Sequence, residues 1–317
     1  MKIINSNIQF ITIENNNNGQ RIDNFLLSYL KGVPKSMIYR IVRKGAVRVN
    51  KKRIKPRYKL ENGDVIRIPP IRIVENLVHK YLPKPNKLSA IANHILYEDD
   101  YLIILNKYSG IAVHGGSGVS FGVIESLRIL RSKLNFLELI HRLDRDTSGI
   151  LLIAKKRSAL HSLNEQLRNQ TVRKDYLTLV RGLWPSHLTS VQTYLSQNII
   201  KNCKQKVQVS KLGKFSKTYF KIKEIFDFAT LLKVTPITGR THQIRVHALH
   251  TGHPIAFDNR YGDRNFDQKL MPTGLSRLFL HAENITFVHP SNGKTISIHA
   301  PLDEELKQCL LHLAKKN

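Results

Sequence analysis

The stretch from His141 to Lys155 constrains the fold more than any other part of this chain. It reads His-Arg-Leu-Asp-Arg-Asp-Thr-Ser-Gly-Ile-Leu-Leu-Ile-Ala-Lys. A charged run, His141 to Asp146, is followed by the small residues Thr147-Ser148-Gly149, which predict a turn, and then by the aliphatic run Ile150 to Ile153. An unbroken apolar run of this length beside a turn reads as a buried strand. The charged run therefore sits at the rim of a core. A carboxylate held on such a rigid edge, with arginines beside it, is how a catalytic acid group is positioned. The plain alternative is a polar turn entering a strand, the favoured reading for an arbitrary loop Asp.

The surrounding sequence supplies the sheet for this strand. Further strands are predicted at Ile95 to Tyr97, Leu102 to Leu105, Tyr176 to Val180, Ala229 to Val234 and Ile296 to His299. Helices are predicted at Leu127 to Leu130, Ala159 to Leu167 and His242 to Leu249. This is an α+β pattern with a mixed sheet over residues 95–317. Residues 71–94 have poor periodicity and contain Pro83-Lys84-Pro85-Asn86, so residues 81–94 read as a linker.

A second, smaller domain is expected over residues 20–80. Ile22, Phe25, Leu26, Tyr29 and Leu30 have helical spacing. Ser36 is a candidate N-cap for a second helix through Met37, Ile38, Ile41 and Val42, ended by Gly45. Val47 and Val49 alternate with polar residues as a short strand. Glu61-Asn62-Gly63-Asp64 is a turn before a strand at Val65, Ile66 and Ile68. Between Lys31 and Lys59 there are twelve Lys or Arg and no Asp or Glu. A merely solvated face would mix both signs, so single-sign clustering points to phosphate binding. Lys35, Arg40, Arg43, Lys44, Arg48, Lys51, Lys52 and Arg53 are the candidate RNA contacts.

Composition agrees. The formal net charge of the 317-residue chain is +28. Self-repulsion of that size suits a polyanionic partner. A membrane partner is not expected, because no apolar run approaches the ~18 residues of a spanning helix and no signal peptide is visible. The two cysteines, Cys203 and Cys309, form no Cys-x-x-Cys. A reducing cytoplasm is expected, without disulfide or structural zinc. No P-loop or nucleophile elbow occurs. Gly116-Ser117-Gly118 reads as a turn rather than a dinucleotide loop. His247, His250 and His253 lack the acid of a metalloprotease motif, so structural or RNA-facing roles are expected and no metal.

Taken together, His141-Arg142-Leu143-Asp144 with Thr147-Ser148-Gly149 resembles the active-site signature of the RNA pseudouridine synthases of the large-subunit, A-type superfamily. Lys174-Asp175-Tyr176 resembles that family's second motif, and Thr238-Gly239-Arg240-Thr241-His242-Gln243-Ile244-Arg245 its third. Asn106-Lys107-Tyr108-Ser109-Gly110 with Val113-His114, Gly252-His253-Pro254-Ile255-Ala256 with Asp258 and Tyr261-Gly262, and Leu280-His281-Ala282 also resemble family segments. Arg21-Ile22-Asp23, Lys44 to Asn50 and Glu61 to Asp64 resemble the S4 RNA-binding domain.

The resemblance implies an S4-like domain joined to a pseudouridine synthase catalytic domain. The activity it implies is isomerisation of uridine at several positions of 23S ribosomal RNA, by a monomer that uses no cofactor. It implies Asp144 as the catalytic carboxylate, Tyr176 stacking on the target base, Arg245 pairing with Asp144, and Arg142 bracing the vacated base stack. A buried Asp tends to protonate, and an adjacent guanidinium keeps it ionised. Thr241 is a candidate cap for the helix carrying Gln243 and Arg245. Attack of Asp144 on C1′ of the sugar, attack on C6 of the base, and promotion of sugar deprotonation all stay open. Two rival classes are a non-catalytic S4 protein of ribosome assembly, which has no need of the Asp, Tyr and Arg set, and a metal-dependent nuclease, which chelation would stop.

Overall fold

The computed structural model describes residues 2–5, 7–14, 17–30, 33, 35–73, 85–115, 121–199 and 205–314. The protein divides into two compact units, Met1–Tyr81 and Leu82–Asn317. Lys31, Gly116-Ser117-Gly118, Pro83-Lys84 and Cys203 lie outside the described residues.

The first unit runs β1 (Lys2–Asn5), β2 (Gln9–Thr12), α1 (Ile22–Tyr29), α2 (Lys35–Arg43), β3 (Arg48–Val49), β4 (Lys52–Arg53), β5 (Val65–Ile68) and β6 (Ile71–Ile73). Strands β2-β5-β3-β4 form an antiparallel sheet, and β1 pairs with β6. Ile22, Leu26, Ile38, Val42, Val47 and Ile66 make the core between helices and sheet. Two buried carboxylates organise the unit. Asp23 accepts from Arg21 and from the Tyr39 hydroxyl of α2 at 2.8 Å. Asp64 accepts from the Asn50 amide, the Tyr58 hydroxyl and the backbone N–H of Glu61. Ser36 lies inside the first turn of α2 and does not cap it, because the helix already begins at Lys35. Gly45 follows α2 with φ +71°, the left-handed conformation that stops a helix.

The second unit begins with α3 (Pro85–Ala92), where a linker was expected. A proline at the first helical position loses no hydrogen bond. Ile91 of this helix is 1% exposed and belongs to the core, so the segment is part of the larger unit. The chain continues through β7 (Ile95–Glu98), β8 (Leu102–Lys107), α4 (Val123–Leu130), β9 (Glu138–Leu139), β10 (Ser148–Ala154), α5 (Arg157–Arg168), β11 (Arg173–Arg181), β12 (Ser190–Ile199) and β13 (Gln205–Val209). It ends with β14 (Lys214–Ile225), β15 (Ala229–Pro236), α6 (Gln243–His250), α7 (Arg264–Leu270), β16 (Leu280–Val288), β17 (Thr295–His299) and α8 (Glu304–His312).

Among the described residues, eleven strands form one sheet, ordered β13-β12-β14-β15-β11-β16-β10-β8-β7, with β17 on β16 and β9 on β10. Among the described residues, only β10 and β16 run parallel, so the sheet is mixed. Every residue of β10 is buried, as its aliphatic run predicts. The expected turn at Thr147-Ser148-Gly149 is shorter than read, since Ser148 and Gly149 already pair with His281 and Ala282. Gly149 is required here. Its φ is +105°, and a Cβ would lie 2.3 Å from the carbonyl oxygen of Ala282. Gly149→Ala combines backbone strain with a clash against main chain, and is expected to cost about 3 kcal/mol or more. A fall in Tm of the full-length variant checks this; an unchanged Tm would show that the β10–β16 junction can spread.

Candidate active site

Three loops meet beside the β10–β16 junction. The loop 141–147 enters β10, the loop 237–242 leaves β15 and leads into α6, and the loop 108–115 leaves β8. With β11 they enclose a groove of about 1480 Å³. Asp144, Tyr176, Arg245 and Arg142 all line it. They come from three segments of the chain more than thirty residues apart, so only the fold assembles them.

Arg245 is the centre of the arrangement. Its side chain is 8% exposed and divides its donors between two carboxylates. Nε and Nη2 donate to Oδ2 and Oδ1 of Asp258, each at 2.7 Å. Nη1 donates to Oδ2 of Asp144 at 2.9 Å. Asp258 is fully buried and its Oδ1 also accepts the backbone N–H groups of Arg260 and Tyr261. Burial disfavours the Asp258 carboxylate, but Arg245 and these amides hold its pKa below the ordinary value. Burial likewise opposes the Arg245 charge, and Asp258 and Asp144 more than offset it. A planar guanidinium fixed on two edges cannot rotate. Its Nη1–H then sets where the partly exposed Asp144 carboxylate stands.

His242 completes this cluster. It precedes α6 with φ +53°, a left-handed conformation strained for a non-glycine residue. Its Nδ1 lies 2.9 Å from the Tyr261 hydroxyl and its Nε2 lies 3.7 Å from Oδ2 of Asp144. Burial lowers its pKa and the Asp144 charge only partly opposes this. Tyr261 also receives the backbone N–H of Val207 and lies under the Arg245 guanidinium at 5.1 Å. The helix cap is thus His242 rather than Thr241, and no side chain caps α6. With this backbone conformation the imidazole stands beside the Asp144 carboxylate.

The Asp144 loop is held from behind. The Lys107 ammonium is fully buried and donates to the carbonyls of Tyr108, Ile111 and Arg145 at 2.9 to 3.0 Å. The Gly110 N–H donates to the Arg145 carbonyl and the Ser109 hydroxyl to that of Asp146. His141, half-buried and with its pKa lowered to about 4 by desolvation, accepts the backbone N–H of Leu152. Tyr176 stands on β11, opposite Val234 and Ala282. Burial first, and the Asp144 charge second, push its phenol pKa well above normal, so it stays protonated.

A family model described as RNA pseudouridylate synthase matches residues 101–250, and one for the S4 domain matches residues 20–66. The chain is 63% identical over 315 residues to the ribosomal large subunit pseudouridine synthase C of Yersinia pestis, which covers 99% of this chain and 98% of that one. It is 60% identical over 315 residues to the protein of the same name from Escherichia coli (strain K12), covering 99% of each. The chain belongs to the RNA pseudouridylate synthase family. Among solved structures, human RNA pseudouridylate synthase domain containing 4 shares 25% identity, with a TM-score of 0.59 over 73% of this chain and 98% of that one.

For a pseudouridine synthase of this kind, the expected RNA contacts fall on the S4 unit. Arg40, Arg43, Lys44, Arg48, Lys51, Lys52 and Arg53 are all exposed there, while the side chain of Lys35 lies outside what the structure describes. The histidine series does not converge on an ion. His247 is buried against the hydroxyls of Thr193 and Ser216, His253 meets the Arg181 carbonyl, and His250 is exposed. No group of three or more potential metal ligands occurs among the described residues, and no described helix is long and apolar enough to cross a membrane. In the sequence Asp258, His242 and Lys107 lie within motifs that give them no role; the structure makes Asp258 the second partner of Arg245, sets His242 beside Asp144 and buries Lys107 behind the Asp144 loop. A lysine ending the apolar run of β8 is the available signal for the last.

Proposed function

We propose that this pseudouridine synthase isomerises uridines in ribosomal RNA of the large subunit, with Asp144 as the catalytic carboxylate. The observation that carries this is the fixed fork of Arg245, which spends two donors on buried Asp258 and turns the third to Asp144 at 2.9 Å. A phosphate-binding arginine would not be buried behind two acids. The reaction breaks the N1–C1′ bond of uridine, turns the base, forms C5–C1′, and moves the C5 proton to solvent while N1 gains one. A base inside structured RNA must leave its stack to reach such a groove. Exposed Arg142 at the groove edge braces the emptied position, and Tyr176 supports the turned base by stacking. A phenol held protonated serves as platform and donor, not as a base.

The substrate assignment rests on relatives about 60% identical over their full length and named for the large ribosomal subunit. An enzyme acting as a monomer in the cytoplasm is part of this reading. Mapping pseudouridine in ribosomal RNA from cells with and without the gene tests it. Loss of modified positions from large-subunit RNA is expected; an unchanged map would overturn it.

Tyr176 gives a more local test. Tyr176→Phe keeps the platform and is expected to retain RNA binding. Tyr176→Ala should lose stacking of about 1–3 kcal/mol per base, and most activity with it. Equal activity in the two variants would assign Tyr176 to packing alone.

A further inference from the structure

The outward face of the S4 sheet carries an unusual row of side chains. Phe10 on β2 stands directly opposite Arg67 on β5, Arg67 opposite Arg48 on β3, and Arg48 opposite Arg53 on β4. One line across four strands thus reads Phe, Arg, Arg, Arg. At a strand spacing of about 4.8 Å the line spans roughly 14 Å. The alternate residues Val49 and Ile66 point inward and are 2% and 0% exposed, which fixes the row on the solvent face. Phe10 is 68% exposed, with exposed Ile8 and Val65 near it.

Stability does not explain this row. Like charges directly opposite one another on a sheet are destabilising, and here three arginines are consecutive. None of the three forms a salt bridge among the described residues. Instead the guanidinium groups of Arg67 and Arg48 lean on main-chain carbonyls, Arg67 on that of Ala46 at 3.0 Å, and the Arg53 side chain lies over Gly45 so closely that a Cβ there would meet it at 2.7 Å. The result is a preset cationic strip with an open aromatic ring at one end. Cationic tracks beside exposed aromatics are how unpaired nucleotides are held, phosphates on the arginines and a base on the ring.

We propose that this sheet face is a binding site for an unpaired segment of the substrate RNA, with Phe10 stacking on a base and Arg67, Arg48 and Arg53 gripping the phosphates. Neither Phe10 nor Arg67 belongs to the basic run between Lys31 and Lys59, so the site extends recognition beyond that run. The inference rests on the reading that RNA is the substrate, and the charge complementarity of the strip commits it to a polyanion.

The test uses the full-length protein carrying Phe10→Trp. The chain has one natural tryptophan, Trp184, which is 4% exposed and therefore a quiet background. A ten-nucleotide single-stranded RNA should quench the new indole saturably. Phe10→Ala should weaken binding of a large-subunit ribosomal RNA transcript on the order of tenfold, with Phe10→Trp restoring it. Arg48→Gln and Arg67→Gln should each reduce the slope of log affinity against log salt by roughly 0.7. The activity loss should fall on KM and not on kcat. Absence of quenching, together with an unchanged KM in Phe10→Ala while the parent isomerises the transcript, would overturn the site and leave the enzymatic reading intact. Failure of the parent to isomerise the transcript would instead strike that reading. Quenching by an acidic polypeptide such as poly-glutamate, and not by RNA, would reassign the face to a protein partner and overturn the proposal.

Discussion

Asp144→Asn is expected to abolish pseudouridine formation while the fold and the grip on RNA persist. The exchange keeps the shape of the side chain and an oxygen that can accept from Nη1 of Arg245. Arg245 stays paired with Asp258 through its other two donors, so no buried charge is orphaned. The Asp144 side chain is 28% exposed, so little stability rides on its charge. What disappears is the anion that the reaction needs at the sugar or the base. Loss of a reacting group of this kind lowers turnover by about 10⁴-fold or more. Release of tritium from C5-labelled uridine in a large-subunit RNA transcript reports the isomerisation directly. A filter-binding curve for the same RNA checks that affinity is kept. Substantial tritium release by the variant would remove Asp144 from the chemistry.

Much of this arrangement is legible in the sequence, because each part of it is local. The aliphatic run Ile150 to Ile153 announces the buried strand β10, and the acid before it is carried to the strand's edge. Tyr176 and Arg245 lie within short motifs on their own strand and helix. The paired roles of Asp258, His242 and Lys107 are not local. Asp258 reaches Arg245 from thirteen residues away through a loop with no regular pattern, and nothing in its neighbours marks it as buried. The left-handed backbone of His242, φ +53°, is uncommon for any non-glycine residue, and no pattern in its neighbours announces it. The strands β12, β13 and β14 escaped notice for a different reason. They alternate exposed and buried residues, as β14 does along its length, and so lack the apolar runs that reveal central strands. Pro85 misled the reading of residues 81–94, because proline breaks a helix only past its first turn.

Arg245→Ala is expected to damage both the fold and the chemistry, and the two effects can be separated. Removing one member of a buried ion pair costs about 3–5 kcal/mol, because the remaining charge is stranded. Here that charge is Asp258, whose side chain has no exposure at all. In the parent its folded pKa is depressed, so it contributes stability above the unfolded carboxylate pKa near 4 and loses it as pH falls through the folded value. In the variant the guanidinium is gone and burial dominates, so Asp258 resists ionisation. The stability gap between parent and variant should therefore be widest at neutral pH and narrow below pH ~4, where a protonated Asp258 needs no partner. Urea unfolding at several pH values measures the gap; a gap independent of pH would show that Arg245 acts on the fold through packing. The chemical effect is tested by the double variant Arg245→Met, Asp258→Asn. It removes both charges together and keeps an acceptor for the amides of Arg260 and Tyr261, so much of the stability should return. Activity should not return, because nothing then turns the Asp144 carboxylate into the groove. Recovery of turnover along with stability would mean that Arg245 serves the fold alone, and that Asp144 needs no guanidinium to act.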